Sequence, residues 1–152
     1  MNQKQIMWLM ALSVVVLMTV KSSSGLPRGI RNNNPANIED TGTAWKGRTG
    51  NDGRFIIFDS PVNGIRAIAR ILNTYRTKHG IVSIEQIISR WAPPSENNTE
   101  SYIAHAAKAL GVPRNMPLST SHYPALIKVI IKHENGLQPY SDEVIHAGIA
   151  AA

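Results

Sequence analysis

Ten acidic residues are spread along this 152-residue chain, and Glu134 occupies the position least suited to a carboxylate. It follows the apolar run Leu126-Ile127-Lys128-Val129-Ile130-Ile131 and precedes Gly136, a helix stop. The last turn of a helix carries partial negative charge, so an acid there is disfavoured. Apolar neighbours oppose its ionisation further, and the carboxyl is expected to hold its proton to unusually high pH, as a general acid must. The same position reads equally well as a solvated helix end whose charge Lys132 and His133 offset. Glu39, Asp40 and Asp52 are the other acids with a claim to chemistry. Glu39 follows an Asn-rich segment and is expected to reach a cleft, whereas Asp52 is accounted for by a turn. Trp91, ahead of Ala92-Pro93-Pro94, would present an aromatic platform to sugar rings or close the core at a helix end. Asn34, with Asn32 and Asn33, would hydrogen-bond saccharide or build turns. The histidines at 79, 105, 122, 133 and 146 fall on separate elements, and no His-Glu-x-x-His is present, so neither metal nor cofactor is expected. The chain has no cysteine, which removes thiol nucleophiles and thiolate ligands.

The elements that must position these residues follow from turn and cap signals. Gly50-Asn51-Asp52-Gly53 is a strong turn, followed by Phe55 to Phe58 as the second strand of a small hairpin. From Pro61 onward the pattern is helical. Ile65, Ile68, Ala69, Leu72 and Tyr75 share one face of a helix over about 63–78, closed near Gly80. Ser83-Ile84-Glu85-Gln86 is a capping box opening a short helix through Trp91, which Pro93-Pro94 ends. A third helix begins near Asn98 and buries Tyr102, Ile103, Ala106 and Leu110 before Gly111. A fourth runs from about Ser121 to Gly136, and a fifth follows Ser141 as N-cap. The predicted class is α+β, with one hairpin and about five helices.

The N-terminus differs from the rest. Ile6 to Val20 is apolar apart from Ser13 and Thr19, with Lys4 before it and Lys21-Ser22-Ser23-Ser24-Gly25 after it. A run of 15 residues is short for a permanent span, which needs about 20, and suits a cleavable export signal as well as an anchor. Residues 1–25 are therefore expected to be a membrane or signal segment, and 26–152 a single domain with enough chain for one core. That domain holds all ten acids and 14 of the 16 Lys/Arg, a formal charge of +4. A mild positive field suits polyanions such as cell wall, but no basic helix or aromatic nucleic-acid signature accompanies it, so no specific nucleic acid is expected.

Several segments carry a resemblance to a known class. Ile130-Ile131-Lys132-His133-Glu134-Asn135-Gly136-Leu137-Gln138-Pro139 resembles the catalytic segment of soluble lytic transglycosylases and goose-type lysozymes, where a helix ends in Glu-Ser-Gly followed by Asn-Pro. Asn63 to Tyr75 resembles the family helix reading Asn-Ile-x-x-Gly-x-x-Tyr-Leu. Glu96-Asn97-Asn98-Thr99-Glu100-Ser101-Tyr102-Ile103 is similar to the family's Glu-Thr-x-x-Tyr-Val. In the family the catalytic helix comes first. Here it comes last, so the resemblance implies a circularly permuted lysozyme-like domain, and the family's Gly-Leu-Met-Gln has no counterpart. Arg31-Asn32-Asn33-Asn34-Pro35-Ala36-Asn37-Ile38 also looks like the opening of a set of phage lysis and virion proteins, and that similarity covers nearly all of residues 28–150. The resemblance implies cleavage of the β-1,4 bond between N-acetylmuramic acid and N-acetylglucosamine in peptidoglycan. Glu134 would be the acid, Tyr102 would lie near the reacting centre, and Trp91, Asn97, Asn34 and Glu39 would contact substrate. Expected partners are peptidoglycan and, through residues 6–20, a membrane. The expected location is the inner membrane or periplasm of an infected host, or a virion, and a monomer is expected. The competing reading is a non-catalytic virion or envelope protein that binds cell wall or nucleic acid.

Overall fold

The computed structural model describes residues 25–95 and 98–152. The apolar segment 6–20 lies outside the described residues, as does Asn97. No helix among the described residues is long and apolar enough to cross a membrane. In chain order the elements are α1 (Arg28–Arg31), β1 (Arg48–Asn51), β2 (Ile56–Phe58), α2 (Pro61–His79), α3 (Ile84–Trp91), α4 (Thr99–Leu110), a 3-10 turn (Thr120–His122), α5 (Tyr123–Asn135) and α6 (Asp142–Ala150). The class is α+β, a set of helices with one antiparallel two-stranded sheet.

Each long helix is bounded by the chemistry its sequence carries. The Ser60 hydroxyl accepts the Asn63 N–H at the start of α2, Pro61 fills the first turn, and Gly80 ends the helix in the left-handed region. Ser83 and Gln86 form a reciprocal capping box on α3. Asn98 caps α4 and Ser141 caps α6 through their side chains. The fourth helix starts two residues later than its pattern suggests, because Thr120–His122 winds as a 3-10 turn before Tyr123. The single turn α1 was not predicted, since four residues are too few to show helical periodicity.

Helix α5 is the axis of the core. Leu126, Ile127, Ile130 and Ile131 are fully buried, and the helix touches α1, α2, α4 and α6. Burial of each such side chain contributes about 2 kcal/mol, so the end of α5, where Glu134 sits, is anchored by its strongest packing. A second, smaller cluster of Ile56, Phe58 and Ala67 docks the hairpin on α2, with Ile38 and Trp45 against it. The hairpin pairs Arg48 with Phe58 and Asn51 with Ile56, and a bulge falls between Arg48 and Gly50.

The Asn-rich segment 32–38 joins these two clusters. Asn34 is fully buried. Its amide donates to the carbonyls of Ile38 and Ile56, both at 2.9 Å, and accepts the Ile38 N–H at 2.9 Å. Asn34 therefore braces the segment against β2 and has no surface to offer saccharide, which corrects its expected role. Two close approaches need glycine. A Cβ on Gly64 would overlap the Asn33 carbonyl oxygen and stand 2.9 Å from Pro35 Cδ. A Cβ on Gly29 would meet Asn135 Oδ1 at 2.5 Å and the Asn34 carbonyl oxygen at 2.8 Å. Helices α1, α2 and α5 thus converge on one segment, and that segment faces Glu134.

Candidate functional site

Glu134 lies half-buried in the last turn of α5, which Gly136 closes at φ 74°. It sits between two openings. The larger is a cleft of about 400 Å³ bounded by Ala36 to Glu39, Arg54, Phe55, Ile71, Tyr75, Trp91 and Ala92. The smaller, about 270 Å³, is bounded by Asn98, Ser101, Tyr102 and His133. Two donors reach the carboxylate: Trp91 Nε1, at 3.4 Å from Oε1, and the Asn37 amide. Burial pushes the Glu134 carboxyl above the usual range, and the two donors offset part of that rise. The sequence argument relied on the helix terminus and apolar neighbours. In the structure removal from water is the largest cause, so a protonated acid at the floor of a cleft is what the local packing favours.

Asn37 is the residue sequence reasoning did not single out. It adopts φ 49°, in the left-handed region, which Asn tolerates better than most side chains. That conformation turns its amide toward Glu134. Its Oδ1 is buried with no hydrogen-bond partner among the described residues, as is Oδ1 of Asn135, and both would meet a Cβ placed on Gly29. Asn135 donates to the Pro35 carbonyl at 2.7 Å and the Ile131 carbonyl at 2.9 Å. The residue after Glu134 therefore ties the end of α5 to the segment that carries Asn37. The sequence signal was the run of asparagines, but which of them turns inward depends on tertiary contacts.

Trp91 packs against the core and lines the cleft, with its N–H directed at Glu134. Tyr102 is buried, its hydroxyl has no partner among the described residues, and the charge of Glu134 and burial both raise its pKa, burial more. Its ring stacks on His133 with centroids 3.8 Å apart and planes 7° from parallel. His105 Nδ1 lies 2.5 Å from His133 Nε2, so two histidines assigned to separate elements meet across α4 and α5. No three of His, Asp and Glu converge at metal-binding geometry among the described residues.

The other acids are held otherwise. Glu39 lines the cleft, but one of its oxygens accepts both Nε and Nη2 of Arg54, at 2.8 and 2.5 Å. Asp52 accepts from Arg28 Nε at 2.6 Å, Asn32 Nδ2 at 2.7 Å and the backbone of Phe55 and Arg54. These bonds, the Phe55 N–H foremost, hold its carboxyl far below the usual range. Asp40 accepts from Arg48 Nη2 at 2.6 Å, Asn51 Nδ2 at 2.7 Å and the Gly42 N–H, and Arg48 first of all lowers its pKa to about 2. Asp40 and Asp52 are fixed anions that shape the hairpin.

No protein-family model matches the chain. It is 50% identical over 126 residues to Protein P5 of Pseudoalteromonas phage PM2, an alignment covering 80% of this chain and 79% of that protein. A likeness of that extent takes in most of the described fold, and the chain belongs to the family of Protein P5 of phage PM2.

Proposed function

We propose that this protein cleaves the β-1,4 glycosidic bond between N-acetylmuramic acid and N-acetylglucosamine in bacterial peptidoglycan, with Glu134 as general acid. One observation carries the reading: a half-buried carboxyl with a raised pKa at the floor of an open cleft, oriented by Asn37 and Trp91. Protonated Glu134 gives its proton to the leaving oxygen as an oxocarbenium-like centre develops, then accepts one from the attacking hydroxyl. The aromatic side chains of Trp91 and Tyr75 along the cleft suit the apolar faces of sugar rings. Tyr102 is buried beside Glu134 with its hydroxyl enclosed and does not line the cleft, so it would shape the surroundings of the acid rather than touch the sugar.

The fate of the other acids bears on the outcome. Asp40 and Asp52 are engaged in the hairpin and Glu39 is paired with Arg54, so a second carboxylate with a free role is not evident among the described residues. A mechanism in which the sugar's own 6-hydroxyl attacks needs only Glu134, and a lytic transglycosylase is the favoured form. The phage source of the 50% identical relative fits use in host lysis or cell-wall penetration, with the apolar segment 6–20 directing the domain to or across the inner membrane. The test is incubation of the full chain, purified in mild detergent, with isolated peptidoglycan and analysis of the products by mass spectrometry. Anhydro-muropeptides are expected. Reducing muropeptides would make it a hydrolytic muramidase, and binding without any product would make it a wall-binding protein.

A further inference from the structure

A second groove, about 590 Å³, opens beside the cleft of Glu134 and shares Ile71 and Tyr75 with it. One wall is α2, with Arg66 and Arg70 one helical turn apart, and the facing wall is the loop carrying Trp45 and Lys46. No acidic residue lines it. Arg28, Arg48, Arg54, Arg114 and Lys128 each pair with a carboxylate, whereas no Asp or Glu pairs with the three cations of this groove among the described residues. Lys46 makes no hydrogen bond or ion pair among the described residues. Arg66 and Arg70 each direct one N–H at the C-terminal end of α6, Arg66 at the Ala151 carbonyl at 2.8 Å and Arg70 at an oxygen of Ala152 at 3.2 Å. Those bonds hold both guanidiniums on the groove wall and leave most of their five donors uncommitted. Lys46 and the uncommitted guanidinium donors leave the groove wall positive, which favours an anionic occupant.

We infer that this groove binds the carboxylates of the peptide stems that branch from the muramic acid of the substrate. The inference rests on the peptidoglycan reading above. The glycan strand itself offers neutral sugar faces, which suit the cleft at Trp91, whereas its anionic groups lie on the branches. A groove that adjoins the cleft and is lined by three cations and no acid is the complement of that branched polymer. Its length fits as well. Arg66 and Tyr75 are nine residues apart on α2, about 14 Å of helix rise, and an extended peptide of four residues spans about the same. Arginine forks on one wall favour carboxylates in a bidentate arrangement.

The experiment measures binding of labelled, soluble glycan fragments to the full chain in detergent, with Glu134→Gln introduced so that the ligand is not consumed. One fragment set keeps its stems and the other is stripped of them by an amidase. Stem-bearing fragments are expected to bind about tenfold more tightly, a preference that falls to about twofold when Lys46→Ala and Arg70→Gln are combined. Lys46→Ala alone alters an exposed side chain and provides the variant in which folding is not in question. Equal affinity for the two fragment sets would overturn the inference, as would a preference that survives both substitutions. So would competition by inorganic phosphate or a single-stranded oligonucleotide as strong as that by free stem peptide, since the groove would then be a general anion surface. Cleavage by the parent is scored separately. A chain that prefers stems and cuts nothing keeps this groove and loses the enzymatic reading, and a chain that cuts stripped and stem-bearing strands alike does the reverse.

Discussion

Glu134 is held in a balance between burial, which keeps the proton on, and two donors, which draw it off. The donors have different origins. Trp91 arrives at the end of α3 and Asn37 from the Asn-rich segment, so neither is close to Glu134 in the chain. Replacing Asn37 by Gly keeps the φ of 49° available and deletes the amide, and Trp91→Phe keeps the ring and deletes the N–H. Each change removes a bond that lowers the Glu134 pKa, so the folded value rises further. In the proposed mechanism leaving-group protonation needs the neutral acid, so activity would fail as pH rises through that value. The alkaline limb of the pH–rate profile is therefore expected to move to higher pH in both variants, with the rate down about tenfold from looser positioning. An unshifted limb would separate these residues from the acid. At this scale the sequence was informative about Glu134, because an acid after an apolar run and before glycine is unusual on local grounds alone. It was uninformative about Asn37 and misdirected about Asn34. The two look alike in a run of asparagines, and only the packing against β2 decides that Asn34 is enclosed while Asn37 borders the cleft.

Among the elements, α2 and α5 matter most because both press on the segment 32–38. Gly64→Ala would push a methyl into the Asn33 carbonyl, and a helix interior offers that methyl no escape. Thermal or denaturant unfolding should show a loss of about 1–3 kcal/mol, where an exposed helical glycine would gain from the same change. Catalysis should weaken beyond the loss of folded protein, since the segment that moves carries Asn37. Helix starts were legible where Ser83, Asn98 and Ser141 act within three residues of themselves, whereas the Ser60 cap that starts α2 at Pro61, ahead of the expected 63, went unread. The hairpin was legible from its Asn51-Asp52-Gly53 turn, but the bulge at Arg48 to Gly50 was not. Nor was α1, whose one turn is stabilised by contacts with α5 and by Arg28 reaching Asp52.

The molecule as a whole joins a helical body to a hairpin held by ionised aspartates, and the two should respond differently to acid. Asp40, lowered to about 2, and Asp52, lowered further, favour the fold while charged. Their contribution is complete above the ordinary carboxylate value near 4 and is lost as pH falls through the folded values. Melting followed from pH 6 to pH 2 should therefore hold until about pH 4 and then decline, with hairpin amides losing hydrogen-exchange protection before those of α5. Glu134 has the opposite sign. Its raised pKa means that the fold is most stable with the acid neutral and weakens as pH rises through it. What joins body, hairpin and cleft into a single account is the claim that this strained carboxyl is kept for chemistry. The measurement that tests it most directly is the initial rate of glycan release from peptidoglycan by the full chain and its Glu134→Gln variant, with melting recorded in parallel. The rate should fall about 10²–10⁴-fold while the variant melts no lower than the parent at neutral pH. A Glu134→Gln protein that cuts glycan at the parental rate would contradict the account and move the acid elsewhere, with Glu39 the next to replace.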